Sequence, residues 1–411
     1  MPPGTLSRIR TLDLIRGIAV LGILAVNIAS FAGPESGSYS PNLPTPGSAA
    51  DTWAFAFTLL FFEGKMRALF SLLFGASLLL FVERREQNGQ EGAELQVRRL
   101  AWLALFGWLH FLLLWDGDIL FLYACVGLGA LAMRRTPPRQ LAAMALLLFA
   151  AWQIWGALDW APAALREQQV AQGTAIPEER AAQADYVREK RLDDAEDTRI
   201  TLSSWPVEVA SRQADHPAYP LLILIYSWGE TLPYMMIGMA LLQSGFFAGT
   251  WPPGRTRALA LGGLGVGLVL TLAFTVWAHL RGYPEVAMHL FINYLLGMPH
   301  LLIALGYAAL LVLAAPRLLD TRIGQRLEAA GRMAFSNYIG TTMLMCFIFY
   351  GWGLGLFGQY GAAGQWLFVL LGWALMLGWS QPWLARFRQG PLEWAWRSLT
   401  EWQVLPNRRT R

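Results

Sequence analysis

Lysine is almost missing: Lys65 and Lys190 are the only two in 411 residues. Charge of any kind is scarce. Only 15% of residues are charged, against about 25% in soluble globular domains, which excludes an ordinary water-soluble fold. Cysteine is rare as well. Cys125 and Cys346 both fall inside apolar runs, so there is no disulfide framework. Five histidines show no paired metal-ligand spacing and no HExxH, so no metal site is expected. A phosphate loop is absent. Gly353, Gly355 and Gly358 spell G-x-G-x-x-G, but they sit in an apolar run with no preceding strand, so a dinucleotide site does not follow. The net charge is +4, yet the basic residues fall in short loops between apolar runs. There they set topology and do not form a nucleic-acid surface.

What is present is apolar length. Hydrophobic residues make up 55% of the chain, with 19 tryptophans, and the mean hydropathy is +0.38. About 20 apolar residues cross a bilayer core. On that rule the chain reads as one all-α integral membrane domain, residues 1–411, with about ten spans. They fall near 11–31, 53–82, 100–115, 119–133, 140–158, 219–246, 258–280, 289–314, 332–357 and 365–386. Asp13 and Arg16 inside the first apolar run argue for a retained helix and against a cleaved signal. Basic loops alternate with loops nearly free of Lys and Arg, which places both termini in the cytoplasm. Residues 160–218 are different: 11 acidic and 7 basic residues make an external polar insertion, with a surface helix over EERAAQADYVREKRLDDAED.

Polar residues inside apolar runs are expensive and mark candidate sites. Arg16 and Asn27 lie on one face of the first span, about 16 Å apart along its axis. Glu63, Lys65 and Arg67 sit in the second, FFEGKMRALFSLLFG. Glu63 and Arg67 are spaced to pair on one helical face, and a break near Gly64 would leave these charges nearer the external interface. The third and fourth spans form the hairpin WLHFLLLWDGDILFLYA. Its Asp118 can cap the fourth span and can also orient His110, and a carboxylate-held imidazole is a working general base. His300 lies in the eighth span. Asn337 belongs to a polar patch with Ser336, Tyr338, Thr341 and Thr342, which reads either as a cavity wall or as contacts between helices. Gly263 and Gly267 fit close helix packing.

The opening LDLIRGIAVLGILAVNI, the run EGKMRALFSLLFGAS, the hairpin LHFLLLWDGDILFLYA and the late GRMAFSNYIG together resemble the YeiB-like bacterial membrane proteins, a family built on domain of unknown function 418. The likeness covers nearly the whole chain, least over 160–218. The first helix also resembles that of transmembrane acyltransferases, among them heparan-α-glucosaminide N-acetyltransferase and the O-acyltransferases of bacterial surface sugars. That resemblance implies transfer of an acyl group from cytoplasmic acyl-coenzyme A to an acceptor across the membrane. Arg16 matches the arginine of their R-G opening. Asn27 falls where the heparan enzyme has an asparagine and the O-acyltransferases a histidine. The heparan enzyme places its essential histidine in the loop after the first helix. Here 32–52 holds none, and His110 is the substitute.

Three classes of function follow. The first is acyl transfer, with His110 as base, Asp118 behind it, Asn27 and Lys65 at the oxyanion, and Arg16 facing the acyl donor's phosphates or the channel mouth. Acyl-coenzyme A is then the donor, no cofactor is tightly bound, and the acceptor is a small molecule or a surface glycan. The second is a permease using Glu63, Lys65, Arg67 and His300. The third is a scaffold in which these polar residues only join helices.

Overall fold

The computed structural model describes residues 9–409. Arg8 and the last two residues, parts of the basic flanks used to orient the chain, lie outside the described residues. The described chain is all helix and loop, apart from one isolated bridge between Phe387 and Arg408. In order the helices are α1 (Arg10–Ala32), α2 (Ala49–Phe61), α3 (Lys65–Gln87), α4 (Gly92–Leu113), α5 (Leu120–Ala132), α6 (Pro138–Gln172), α7 (Pro177–Thr201) and α8 (Trp205–Asp215). They continue with α9 (Tyr219–Gln243), α10 (Pro253–Leu280), α11 (Glu285–Leu290), α12 (Gly297–Leu318), α13 (Arg322–Arg332), α14 (Ala334–Phe349), α15 (Ala362–Arg386) and α16 (Pro391–Thr400).

Seven stretches among the described residues are long and apolar enough to cross a membrane: α1, the α2–α3 pair, α6, α9, α10, α12 and α15. The helix α4 has the length but carries Glu94, Arg98 and Arg99 in its first half. The apolar helices α5 and α14 are short, at 13 and 16 residues. Large apolar side chains point outward on α6 (Leu147, Leu158), α10 (Leu261, Val269, Leu280) and α15 (Leu367). Such a band suits lipid contact and no aqueous surface. The helix α1 is central, packing against α3, α12, α13, α14 and α15.

Two spans are broken, the second where the sequence offered a break and the eighth where it suggested a continuous run. The second breaks at Gly64, which has φ +72°. A side chain cannot fit there, because a Cβ would fall 2.0 Å from Nδ1 of His300. The eighth breaks at a π-turn, Phe291–Leu295, between α11 and α12. Pro299 is tolerated just after it, because the first helical turn has no intrahelical use for an N–H. The fifth span does not stop near 158: α6 runs through Pro162 to Gln172. Its Glu167 then accepts from the Val286 and Ala287 amides, 3.1 and 2.9 Å, and so caps α11. As expected from spacing, α10 lies close on α12, with Gly263 facing the Leu302 carbonyl.

The polar insertion forms α7 and α8, which close one end of the bundle. On α8, Trp205 Nε1 donates to Leu113 O at 2.8 Å, and Arg212 donates to Leu112 O and Leu114 O at 3.4 and 3.1 Å. These are the last carbonyls of α4, which have no partner within their own helix. Buried Glu208 pairs with Arg212. On α7, Asp194 accepts from Ser36 at 2.6 Å and Lys190 pairs with Glu35 at 3.2 Å, holding the loop after α1. The opposite end is basic. Arg10 pairs with Glu328 of α13 at 2.8 Å, and Arg332 donates to Arg388 O at 3.2 Å. The amide of Arg388 in turn bonds to Asn407 O, so both ends of the described chain meet here.

Candidate functional site

At the cap end a cavity of about 400 Å³ opens between the end of α1, the loop 33–47, the α2–α3 break and the turn before α15. Asn27, Glu63 and Arg67 all line it. Asn27 is half-buried, and its amide has no hydrogen-bond partner among the described residues. Tyr39, Asn293, Gln365 and Trp366 complete much of a polar and aromatic wall.

The charge pairing differs from the one spacing suggested. Arg67 bonds Glu230 of α9, at 3.0 Å, and Tyr234 donates to the same carboxylate at 2.9 Å. Glu63 lies before the break, so it and Arg67 do not share a helical face. Its carboxylate instead accepts from the Gly64 amide at 3.1 Å. Glu230 was legible as a lone acid in the apolar run YSWGETLPYMM but was not singled out. Lys65 is fully buried, and its ammonium donates to Leu59 O at 2.6 Å, tying α3 back to the end of α2. His300 is equally buried beside Gly64, with neither ring nitrogen partnered. Lys65 and His300 thus sit behind the cavity wall and do not line it.

His110 and Asp118 do meet. Nδ1 of His110 lies 2.8 Å from Asp118 Oδ1, and Oδ2 of the same carboxylate accepts from the Phe121 amide at 2.9 Å. One carboxylate therefore caps α5 and holds the ring. Both residues are 3% exposed. The approach of α4 to α5 requires glycine at 107, where a Cβ would stand 2.3 Å from Phe121 N and 2.7 Å from Asp118 Oδ2. With Nδ1 held, Nε2 is the nitrogen left over, and it is buried without a partner among the described residues. The ring packs on Tyr338 at 5.3 Å between centroids.

A second cavity, about 160 Å³, opens toward the basic end. Arg16, Gln96, Arg99, Tyr338 and Trp396 line it among Phe70, Phe74, Leu78, Leu103 and Phe335. Arg16 bonds Asp13 at 2.8 Å and Ser77 at 2.6 Å. Glu393 also borders this cavity. Its carboxylate accepts from the Phe335 and Ser336 amides and the Ser336 hydroxyl, and burial pushes its pKa up. A slot of about 10 Å³ beside α1 and α14 is bordered by Asn27 and Tyr338. That is near the lower limit for one water. Asn27 thus borders both slot and cap-end cavity, and Tyr338 both slot and basic-end cavity. The first-span stripe divides accordingly, Arg16 at one cavity and Asn27 at the other.

Asn337 lines neither cavity. Its amide donates to Ala330 O and Ser380 at 3.0 and 3.1 Å, and its oxygen accepts from Trp379 Nε1 at 2.7 Å. Those bonds join α13, α14 and α15. Arg99, in the sequence one of the basic residues after the second span, and Gln96, to which the sequence reading gave no role, prove to be lining residues. The signal that could have found them is their three-residue spacing on one face of α4. Among the described residues no group of three or more His, Cys, Asp or Glu is placed to hold a metal ion.

Residues 241–403 match the family described as "Protein of unknown function (DUF418)". The "Uncharacterized protein YeiB" of Escherichia coli (strain K12) is 32% identical, over 95% of this chain and 95% of its own length. The "Uncharacterized protein YxaH" of Bacillus subtilis (strain 168) is 31% identical, over 98% of this chain and 97% of its own. An "Uncharacterized 39.9 kDa protein in amylase 3'region" of Bacillus acidopullulyticus is 25% identical over 97% and 95%. No solved structure matches. With identity above 30% along almost the whole of two relatives, the chain belongs to the YeiB-like DUF418 family of proteins of unknown function.

Proposed function

We propose that this protein is a membrane-embedded acyltransferase. In this reading the basic end faces the cytoplasm of a bacterial inner membrane and the cap end faces outward. The shorter helices α4, α5 and α14 cross as well, giving ten spans. Acyl-coenzyme A enters at the basic end, and the acceptor, a small molecule or a surface glycan, enters at the cap end. The observation that carries the reading is His110: Nδ1 on Asp118, Nε2 unpartnered, and the ring against the residue that borders both the slot and the basic-end cavity. His110 itself lines neither cavity, but only the Tyr338 ring need move to bring a donor in the basic-end cavity to it, which suits transfer across a membrane.

In the chemical step the acceptor's hydroxyl or amine attacks the thioester carbonyl. His110 Nε2 takes the proton, and Asp118 stabilises the imidazolium. The unpartnered Asn27 amide is the group available to the oxyanion. Collapse of the tetrahedral intermediate breaks the carbon–sulfur bond, and the thiolate leaves with the proton from His110. Tyr338 must turn aside for the substrates to meet Nε2. The basic-end cavity of about 160 Å³ would take the thioester and its slender arm, with the donor's phosphates among its lining cations and the adenosine outside.

A second reading is favoured by one observation. The α2–α3 break at Gly64 packs on His300, in the first turn of α12 just after the π-turn, and transporters build substrate sites from discontinuous helices. In a permease, Glu63 and Arg67 would face the substrate and Lys65 and His300 would lie behind it. Proteoliposomes loaded with acetyl-coenzyme A separate the two. Acyl transfer releases free thiol on the side holding the basic end and labels an acceptor on the other. A permease releases none.

A further inference from the structure

The basic-end cavity is lined by Arg99, a cation whose charge no acid among the described residues answers. Arg99 lies between two rings, its guanidinium 4.0 Å from the centroid of Trp396 and 4.8 Å from that of Phe81. It makes no ion pair among the described residues. The charged groups acting on it are Arg16, Arg85 and Arg397, all of its own sign. Arg16 is occupied by Asp13, and Arg85 by Glu401. Glu393, the acid in the lining, gives both oxygens to the start of α14. Stacking on aromatic faces fixes the guanidinium plane while leaving its in-plane N–H donors free for a planar or tetrahedral anion. One turn before it on α4, Gln96 is 2% exposed, lines the same cavity and has no partner for Oε1. Turned over, that amide offers its NH2 to a ligand instead. The rest of the wall includes Phe74, Leu78 and Phe335, which suit a neutral organic portion.

We infer that Arg99, with Gln96 and Arg16 beside it, forms an anion site that takes the phosphate group of an organophosphate whose apolar part lies along Phe74, Leu78 and Phe335. A soluble phosphate ester and a phospholipid headgroup present this same chemistry. The site goes beyond the acyl-transfer reading, since it follows from the cavity's own charge.

The test is binding to the purified full-length chain in nanodiscs. One arm titrates radiolabelled coenzyme A into phosphatidylcholine discs. The other measures by native mass spectrometry how much phosphatidylglycerol is retained from mixed discs. Arg99→Gln should weaken the probe that binds by at least tenfold. Arg99→Lys, which keeps the charge but loses the fork and the stacking, should fall between. Arg139→Gln removes an exposed charge from the first turn of α6 and should bind as wild type does. Retention of coenzyme A identifies a soluble ester, and retention of phosphatidylglycerol a headgroup. Wild-type protein holding neither probe, Arg99→Gln holding both undiminished, or equal losses in Arg99→Gln and Arg139→Gln would overturn the proposal. Coenzyme A carries no acyl group, so binding is read without turnover. Failure of this site and failure of acyl transfer therefore register separately.

Discussion

Replacing Arg212 by methionine should release α8 from the bundle, and more so at high pH than at low pH. Arg212 is buried with Glu208, the two side chains 10% and 3% exposed, and it donates to two carbonyls at the end of the helix that carries His110. Burial pushes the Glu208 pKa from 4.5 up to about 7, against the opposing pull of Arg212. The sign follows from which state keeps the proton. Below pH 4.5 both states are protonated and the folded form pays nothing for the carboxyl. As pH rises from 4.5 to 7 the unfolded chain releases a proton that the folded chain holds, so stability falls, and above 7 it levels off. The difference corresponds to about 3 kcal/mol over the full window. Removing Arg212 takes away the charge that favours the carboxylate, which moves the folded value higher and extends the loss. At pH 8 the variant should lose about 3–5 kcal/mol, the usual result of stranding one member of a buried pair. At pH 5, where Glu208 is neutral, about 1–3 kcal/mol remains for the lost carbonyl bonds. Hydrogen exchange of residues 205–215, corrected for intrinsic rates, reads this directly. At pH 8 protection should drop by roughly a hundredfold or more, since each 1.4 kcal/mol is a factor of ten. Protection equal to wild type at pH 8, or a larger loss at pH 5, would refute the argument.

Three further outcomes are expected. Gly107→Ala drives a methyl into Phe121 N and Asp118 Oδ2. It should separate α4 from α5, cost about 1–3 kcal/mol, and shift the His110 imidazole resonances. Lys65→Met strands the Leu59 carbonyl across the α2–α3 break and should cost about 1.5–3 kcal/mol of stability in a thermal melt. Lys65→Arg should not restore it, because a fully buried site has no room for the larger fork. Single cysteines at Ser38, Ala181 and Gly361 should react with impermeant thiol reagents from outside, and those at Gln90 and the exposed Gly254 only from inside. Gly361 labelling with Gln90 would break the ten-span topology.

The fold was legible where chemistry is local. Apolar length located most helices, and the mixed-charge run 178–197 gave α7 nearly to its ends. His110 and Asp118 could be paired because a short turn joins their helices. Gly64 was legible as a possible break because the run 53–82 is longer than one span needs. Long-range partners were not legible. Nothing in the order of residues says that Arg67 meets Glu230 on α9, or that His300 fills the space a side chain at Gly64 would need. Arg98 and Arg99 counted equally as topology signals. Only packing shows that Arg98 pairs with Glu94 at 3.2 Å while Arg99 turns inward onto Trp396. Asn337 illustrates the converse: three good hydrogen bonds make a polar residue in an apolar helix a joint between helices.

The central claim is that His110 is the base of an acyl-transfer site, and His110→Gln tests it most directly. Glutamine can still donate to Asp118, so the hairpin keeps its bond, but it has no basic nitrogen to replace Nε2. The measurement is thiol release from acetyl-coenzyme A by purified wild type and His110→Gln, at matched folded amounts. The account predicts acceptor-dependent release by wild type and a loss of about 10²- to 10⁴-fold in the variant. Release at the wild-type rate by His110→Gln would contradict it.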